Sequence, residues 1–190
     1  TVAILAQAIS APSSEAGGRR ACAREPRTIF AMPGVVDARL AKLGLTIPKA
    51  VAPAANYLPW KRAGNLVFIS GQIPKTEDNQ LLKGKLGANY SLEEGKAAAR
   101  LVGVNLVSQM KEACGGDLDR VKQVLKVEGF VNSTEDFVDH PQIVNGVSDL
   151  LAEVFGQEVG AHSRFAVGCS SLPLGVAVEA GAVVEIAGEE

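Results

Sequence analysis

The chain has 190 residues, 47% hydrophobic and 21% charged, with Lys+Arg 19 against Asp+Glu 21 for a net charge of −2. That length allows one domain with a sizeable core, and the composition is ordinary for a folded globular protein. There is no basic excess of the kind that nucleic acids or anionic membrane surfaces select. No apolar run approaches the roughly 18–20 residues that span a bilayer.

Residues 1–31 differ from the rest. A short apolar run, TVAILAQAIS, precedes APSSEAGGRRACAREPR, which holds four arginines and two glutamates. This segment reads as an N-terminal extension: a tail, an added edge segment or the remnant of a targeting sequence. The domain proper is expected over 32–190. Location follows from the same reading: cytoplasmic, or mitochondrial if 1–31 include a targeting segment. Cys22, Cys114 and Cys169 are widely spaced and form no CxxC pair. A reducing compartment therefore fits better than a disulfide framework or a zinc site. Two glycosylation sequons, at Asn89 and Asn132, are read as chance matches.

Val36, Leu40 and Leu43 repeat at helical spacing before Gly44, which predicts a short capped helix. TIPKAVAPAAN then reads as extended and broken by proline. GNLVFISGQIP, residues 64–74, is a strand running into a glycine turn and a proline stop. After a charged loop, Ser91 and Glu94 make a capping-box pattern. It opens a helix to about Ala113, with Leu101, Val102, Leu106, Met110 and Ala113 on one side and Gly115-Gly116 as its stop. RVKQVLKVEGFVNS is a second strand, with Leu125, Val127, Gly129 and Val131 assigned to one face. Pro141 opens another helix, whose Ile143, Val144, Val147, Leu150, Leu151, Val154 and Phe155 follow the i, i+3, i+4, i+7 rule. RFAVGCSS and GVAVEAGAVVEI are expected to close the chain as a hairpin around LPLG.

The order is strand, helix, strand, helix, strand, strand, with room for one more strand before the longer helices. Each helix is apolar on one side only. The fold class is therefore α+β, a single sheet with two helices on one face. The closing strand is apolar at both parities: Val176, Val178 and Val184 on one, Ala177 and Val183 on the other. A sheet apolar on both faces needs a second cover, and subunit association supplies one.

Two charges interrupt these apolar strands, Arg164 and Glu179, fifteen positions apart. An unpaired buried charge is costly, so each needs a partner, solvent or a ligand. Side chains alternate along strands, so an even loop without a bulge would put both on one face, and an odd loop would separate them. One reading is a guanidinium that grips a carboxylate in bidentate fashion, with a carboxylate nearby to hold water or move a proton. The other is a structural salt bridge, or two edge charges facing solvent. His140 precedes Pro141 as a helix cap, and His162 sits exposed in a glycine-flanked loop. Together they make no metal site. Cys169 lies among small residues and reads as an inert core thiol. Neither KGKLGAN nor EEGKAAA completes a phosphate loop. Asn145, beside Gly146, is an unusual polar insertion in the second long helix.

GNLVFISGQIP followed by RFAVGCSSLPLGVAVE resembles the Rid/YjgF family, the reactive-intermediate imine deaminases once called L-PSP endoribonucleases. The similarity covers roughly Asn56 to Ile186. ANYLPW, FVNSTEDF and GVAVE are similar to a bacterial subgroup with a longer N-terminus. The resemblance implies a chorismate-mutase-like α+β fold and a homotrimer with ligand clefts between subunits. It implies that Arg164 binds the substrate carboxylate and that Glu179 associates with the attacking water. Tyr57, Ser70, Gly71 and Asn145 match cleft-lining positions. Ala166 stands where the family often has cysteine, at a position whose backbone amide contacts ligand. Around VDHPQIV and GQEVGAH the spacing is longer than in the short members, which changes the cleft rim.

The implied reaction is hydrolysis of 2-imino acids or their enamine tautomers to 2-keto acids and ammonia. It proceeds already in water, so positioning suffices and neither metal nor cofactor is expected. The ligand is a small 2-imino or 2-keto acid, with no membrane and no nucleic acid as partner. A non-catalytic trimer that binds or senses such acids is the alternative. A ribonuclease fits worst, given the acidic balance and the lack of interleaved basic and aromatic residues.

Overall fold

The computed structural model describes residues 34–50 and 55–188; the extension at 1–31 lies outside them. The elements are α1 (Val35–Leu43), β1 (Trp60–Ala63), β2 (Leu66–Gln72), α2 (Leu92–Ala113), β3 (Val121–Asn132), α3 (His140–Phe155), the one-turn α4 (Gln157–Gly160), β4 (Ser163–Cys169) and β5 (Val178–Ile186).

The local signals work as chemistry. Gly44 closes α1 in the left-handed conformation, φ 64°, where a side chain would be strained. At Ser91 the capping box is complete. The Glu94 amide donates to the Ser91 Oγ at 3.3 Å, and the Ser91 amide donates to the Glu94 carboxylate at 2.8 Å. The Ser91 hydroxyl also donates to that carboxylate at 2.7 Å, and this bond, with the amide's, holds the Glu94 carboxyl below its usual range. Asp139, not His140, occupies the cap position of α3, and His140 is its first residue.

The strands form one sheet in the order β1-β2-β5-β3-β4. Neighbours run antiparallel except β3 and β4, which are parallel. α2 connects β2 to β3 and α3 connects β3 to β4, two crossovers that lay both helices on one face. That face is the core. Val67, Ile69, Val124, Val127, Val131, Val178 and Val184 meet Val102, Leu106, Met110, Ile143, Val147, Leu150 and Leu151, all buried.

Two expectations fail here, each for a long-range reason. The closing hairpin does not exist, because β3 inserts between β4 and β5 and pairs with both. The LPLG segment is therefore a bridge across the end of β3 rather than a tight turn. Leu125 does not join Val127 and Val131 in the core. A register shift between Val124 and Lys126 turns Val124 inward and leaves Leu125 at the surface.

The bridge carries a strained residue. Leu174 is exposed and sits at φ 59°, ψ 8°, a region disfavoured for leucine. Leu174→Gly should raise stability by roughly 0.5–1 kcal/mol, since it relieves that strain and gives up little buried surface. Chemical denaturation would show it as a higher midpoint; a lower one would mean that the leucine packs in solution.

Candidate functional site

The register places the candidate residues in two groups. Arg164 lies beside Val127, and Val127 lies beside Ala182, so Arg164 shares the helix-covered face with Val127 and Ala182. Glu179 pairs with Phe130, three positions before Ala182 with no bulge between, and so points to the opposite face. Within one chain the two charges are not a salt bridge and do not share a pocket.

The first group surrounds Glu179. Its carboxylate lies against Gly71 on β2, where an added Cβ would overlap Oε1, so glycine is what lets the carboxylate approach that strand. A cleft of about 640 Å³ opens beside it, lined by Tyr57, Gly71, Gln72, Lys75, Asn105 and Leu174 among others. Partial burial pushes the Glu179 carboxyl above the usual carboxylate range. Tyr57 stands half-exposed on the wall. Ser70 is adjacent but faces away from ligand chemistry: its hydroxyl donates to the Leu58 carbonyl at 2.7 Å and its amide to Pro59 at 3.0 Å. These bonds pin the segment carrying Tyr57 to the irregular end of β2, where the register shifts between Ile69 and Gln72.

The second group is at the β4 edge. Arg164 donates through Nη1 to Ser148 Oγ at 2.9 Å and through Nη2 to the Pro141 carbonyl at 3.1 Å. Asn145 lies between these two contacts on α3, at i+4 from Pro141 and three residues before Ser148, so helical spacing sets it on the same side. Ala166 follows Arg164 at alternate spacing and packs against the core.

Several positions in and around the candidate site escaped sequence reasoning. Asn105 is buried in α2 and its amide donates to the carbonyls of Ile73 and Lys75 at 2.9 and 3.1 Å, shaping the cleft's far wall. A polar residue on the apolar stripe of α2 was the available signal. His162 is not exposed: it is half-buried, with Nε2 2.9 Å from Ser148 Oγ and Nδ1 2.6 Å from the Gly160 carbonyl. His140 is no cap; its Nε2 lies 3.0 Å from Ser133 Oγ. Cys169 is partly exposed at the end of β4 rather than in the core. Among the described residues no three His, Cys, Asp or Glu side chains converge as a metal site requires, and no helix is long and apolar enough to cross a membrane.

A family model described as "YjgF/chorismate_mutase-like, putative endoribonuclease" matches residues 37–182. The chain belongs to the Rid/YjgF family. Protein TCP17 of Trypanosoma cruzi is 48% identical to it over 153 residues, 80% of this chain and 95% of the relative. Protein HMF1 of Saccharomyces cerevisiae is 33% identical over 134 residues, 70% and 87% of the two chains. The crystal structure of the protein Atu1372 from Agrobacterium tumefaciens superposes with a TM-score of 0.74 at 40% identity, over 80% of this chain and 94% of that one. The sheet with two long helices on one face is thus the chorismate-mutase-like fold of the Rid/YjgF family. The match spans both groups, from Tyr57 through Glu179.

Proposed function

We propose that this Rid/YjgF chain hydrolyses 2-imino acids, or their enamine tautomers, to 2-keto acids and ammonia, in clefts completed between subunits of a homotrimer. The observation that carries the reading is the division of the two charges: an oriented cation on the helix-covered face at the β4 edge, and a half-buried carboxylate pointing the opposite way, into the cleft beside β2. One small ligand can use both only if a neighbouring copy brings its Arg164 to this Glu179. The uncovered face supplies a reason for copies to associate. It exposes Phe68, Phe130, Phe165 and Val167, with Phe165 57% accessible, apolar side chains that association would remove from water.

Arg164 anchors the carboxylate by paired N–H donors. The C=N carbon is then held toward a water on Glu179, which replaces a chance encounter with a fixed one. Glu179 takes a proton from the water as its oxygen bonds to that carbon. It passes that proton to the imine nitrogen to give a carbinolamine. It then takes the new hydroxyl's proton as C=O forms and delivers it to nitrogen as the C–N bond breaks, leaving a keto acid and ammonia. A carboxyl whose affinity for protons is raised by burial suits both halves of that exchange near neutral pH. The net charge of −2 favours this small-acid chemistry over RNA as substrate.

The test generates 2-iminobutyrate from threonine with a dehydratase and follows 2-ketobutyrate release. Wild-type protein should accelerate release. Glu179→Gln should lose that turnover while still binding 2-ketobutyrate; unchanged turnover would remove Glu179 from the chemistry, and wild-type binding without any turnover would make the protein a sensor. The pH signs follow from the raised carboxyl. Turnover should fall as pH drops through a value above the ordinary carboxylate range, because the base is lost on protonation. Stability runs the other way. Between the unfolded and folded values the native state holds a proton the unfolded state has released, so stability decreases as pH rises through that window. Glu179→Gln should therefore be more stable than wild type at neutral pH.

A further inference from the structure

We infer that Ser148 and His162 are positioning residues that set the pose of Arg164 for a ligand carboxylate, an inference that rests on the anchoring role proposed for Arg164. Gly160 O can only accept, so the hydrogen shared with His162 Nδ1 at 2.6 Å must sit on the imidazole. In the neutral ring this leaves a lone pair on Nε2, 2.9 Å from Ser148 Oγ. The serine hydroxyl must then donate to Nε2, which turns its own lone pairs toward the Arg164 Nη1 that reaches it at 2.9 Å. Every donor in this chain meets an acceptor, and one orientation of the hydroxyl satisfies all three contacts.

Two surroundings keep the ring neutral. Burial disfavours the imidazolium most; the Gly160 carbonyl opposes this in part, and the smaller effect of the Arg164 charge adds to that of burial. A charged ring would donate from Nε2, so Ser148 Oγ would accept from both the imidazolium and the guanidinium, and its own hydrogen would need another acceptor.

The guanidinium is held at a second point, by Nη2 to the Pro141 carbonyl at 3.1 Å. Two anchors at different nitrogens fix its plane as well as its position. Among the described residues they engage two of its five N–H groups, leaving the others to meet a carboxylate in the fixed fork geometry. α3 thereby acts as a template. Pro141 and Ser148, seven residues apart and so on one side of the helix, grip the arginine from both ends. His162, two residues before Arg164, ties the start of β4 back to the same serine.

The experiment measures 2-iminobutyrate hydrolysis by the full chain at neutral pH, with 2-ketobutyrate binding by calorimetry. Ser148→Ala adds a good helix former at a partly buried site, and its melting curve should match wild type. It should raise KM about tenfold with kcat changed less than about twofold, since the charge stays and its orientation is lost. Ser148→Thr, which restores a hydroxyl, should bring KM back to within about twofold of wild type. His162→Ala should raise KM about threefold. Adding it to Ser148→Ala should raise KM no further, because the imidazole acts through the hydroxyl. A Ser148→Ala enzyme with wild-type KM, or fully additive effects of the two substitutions, would overturn the inference. Wild-type protein that neither hydrolyses the imine nor binds the keto acid would overturn the anchoring role itself and this inference with it. A normal wild type beside a normal Ser148→Ala variant would overturn the positioning role alone.

Discussion

Arg164→Ala is expected to lower kcat/KM for 2-iminobutyrate by about a thousandfold, roughly 4 kcal/mol, while leaving the fold intact. The size follows from what would be left behind: a substrate carboxylate deprived of its paired N–H donors in a cleft that already contains the Glu179 carboxylate. Two negative groups would then share the site without a cation between them. Stability should change little. Arg164 is on the edge strand, the Pro141 carbonyl it releases is exposed to water, and the partly buried Ser148 Oγ keeps its bond to His162. Arg164→Lys is a sharper probe. It keeps the charge and loses the fork, so it should recover only part of the activity. Keto-acid release measured beside thermal melts separates the effects. A folded Arg164→Ala protein with wild-type turnover would exclude Arg164 as the anchor.

Gly146→Val should produce the largest loss of stability of any single change considered, about 3 kcal/mol, or roughly 10 °C in melting temperature. α2 and α3 cross where Gly146 faces the backbone of the other helix. A Cβ there would overlap the Lys96 carbonyl oxygen and come to 2.8 Å from the Arg100 amide nitrogen. Neither neighbour is a flexible side-chain end, so the helices must separate. Separation would also loosen Leu150 against Gly103, where a Cβ would meet the leucine at 2.8 Å. Because Asn145 and Ser148 flank this crossing on α3, the damage should extend to the Arg164 template. Urea unfolding would show a lower midpoint, and an unchanged midpoint would mean that the helix contact is looser in solution than the packing here.

The polar insertion that made Asn145 conspicuous in the sequence has its explanation in the same crossing. Gly146 is the residue that permits close approach, and Asn145 beside it turns out of the core, toward the side of α3 that holds Arg164. The residues of the capping box, the αL glycine at 44 and the seven apolar positions of α3 were legible because each acts on neighbours within one or two turns of chain. Their physics is local, and a sequence window contains all of it. The apolar parity of the closing strand likewise foretold a sheet with both faces to cover, since alternation along a strand requires only that strand.

Strand order was of another kind. β4 and β5 are adjacent in sequence and both suit pairing, yet β3 contributes twelve residues with ladders on both sides and takes the place between them. That choice sums many contacts across long sequence separations, and no short window carries it. Parity counting from Arg164 to Glu179 left both arrangements open, because a face assignment transfers only along a continuous register and the bridge through Leu174 breaks one. The bulge that moved Leu125 outward and the burial of His162 have the same origin, being set by what lies opposite in the folded chain. The sequence by itself determined the longer helices and the main strands, and singled out two charges that need a partner, solvent or a ligand. Only the tertiary structure decided that those charges face opposite ways, because the side a strand presents is fixed by its neighbours in the sheet.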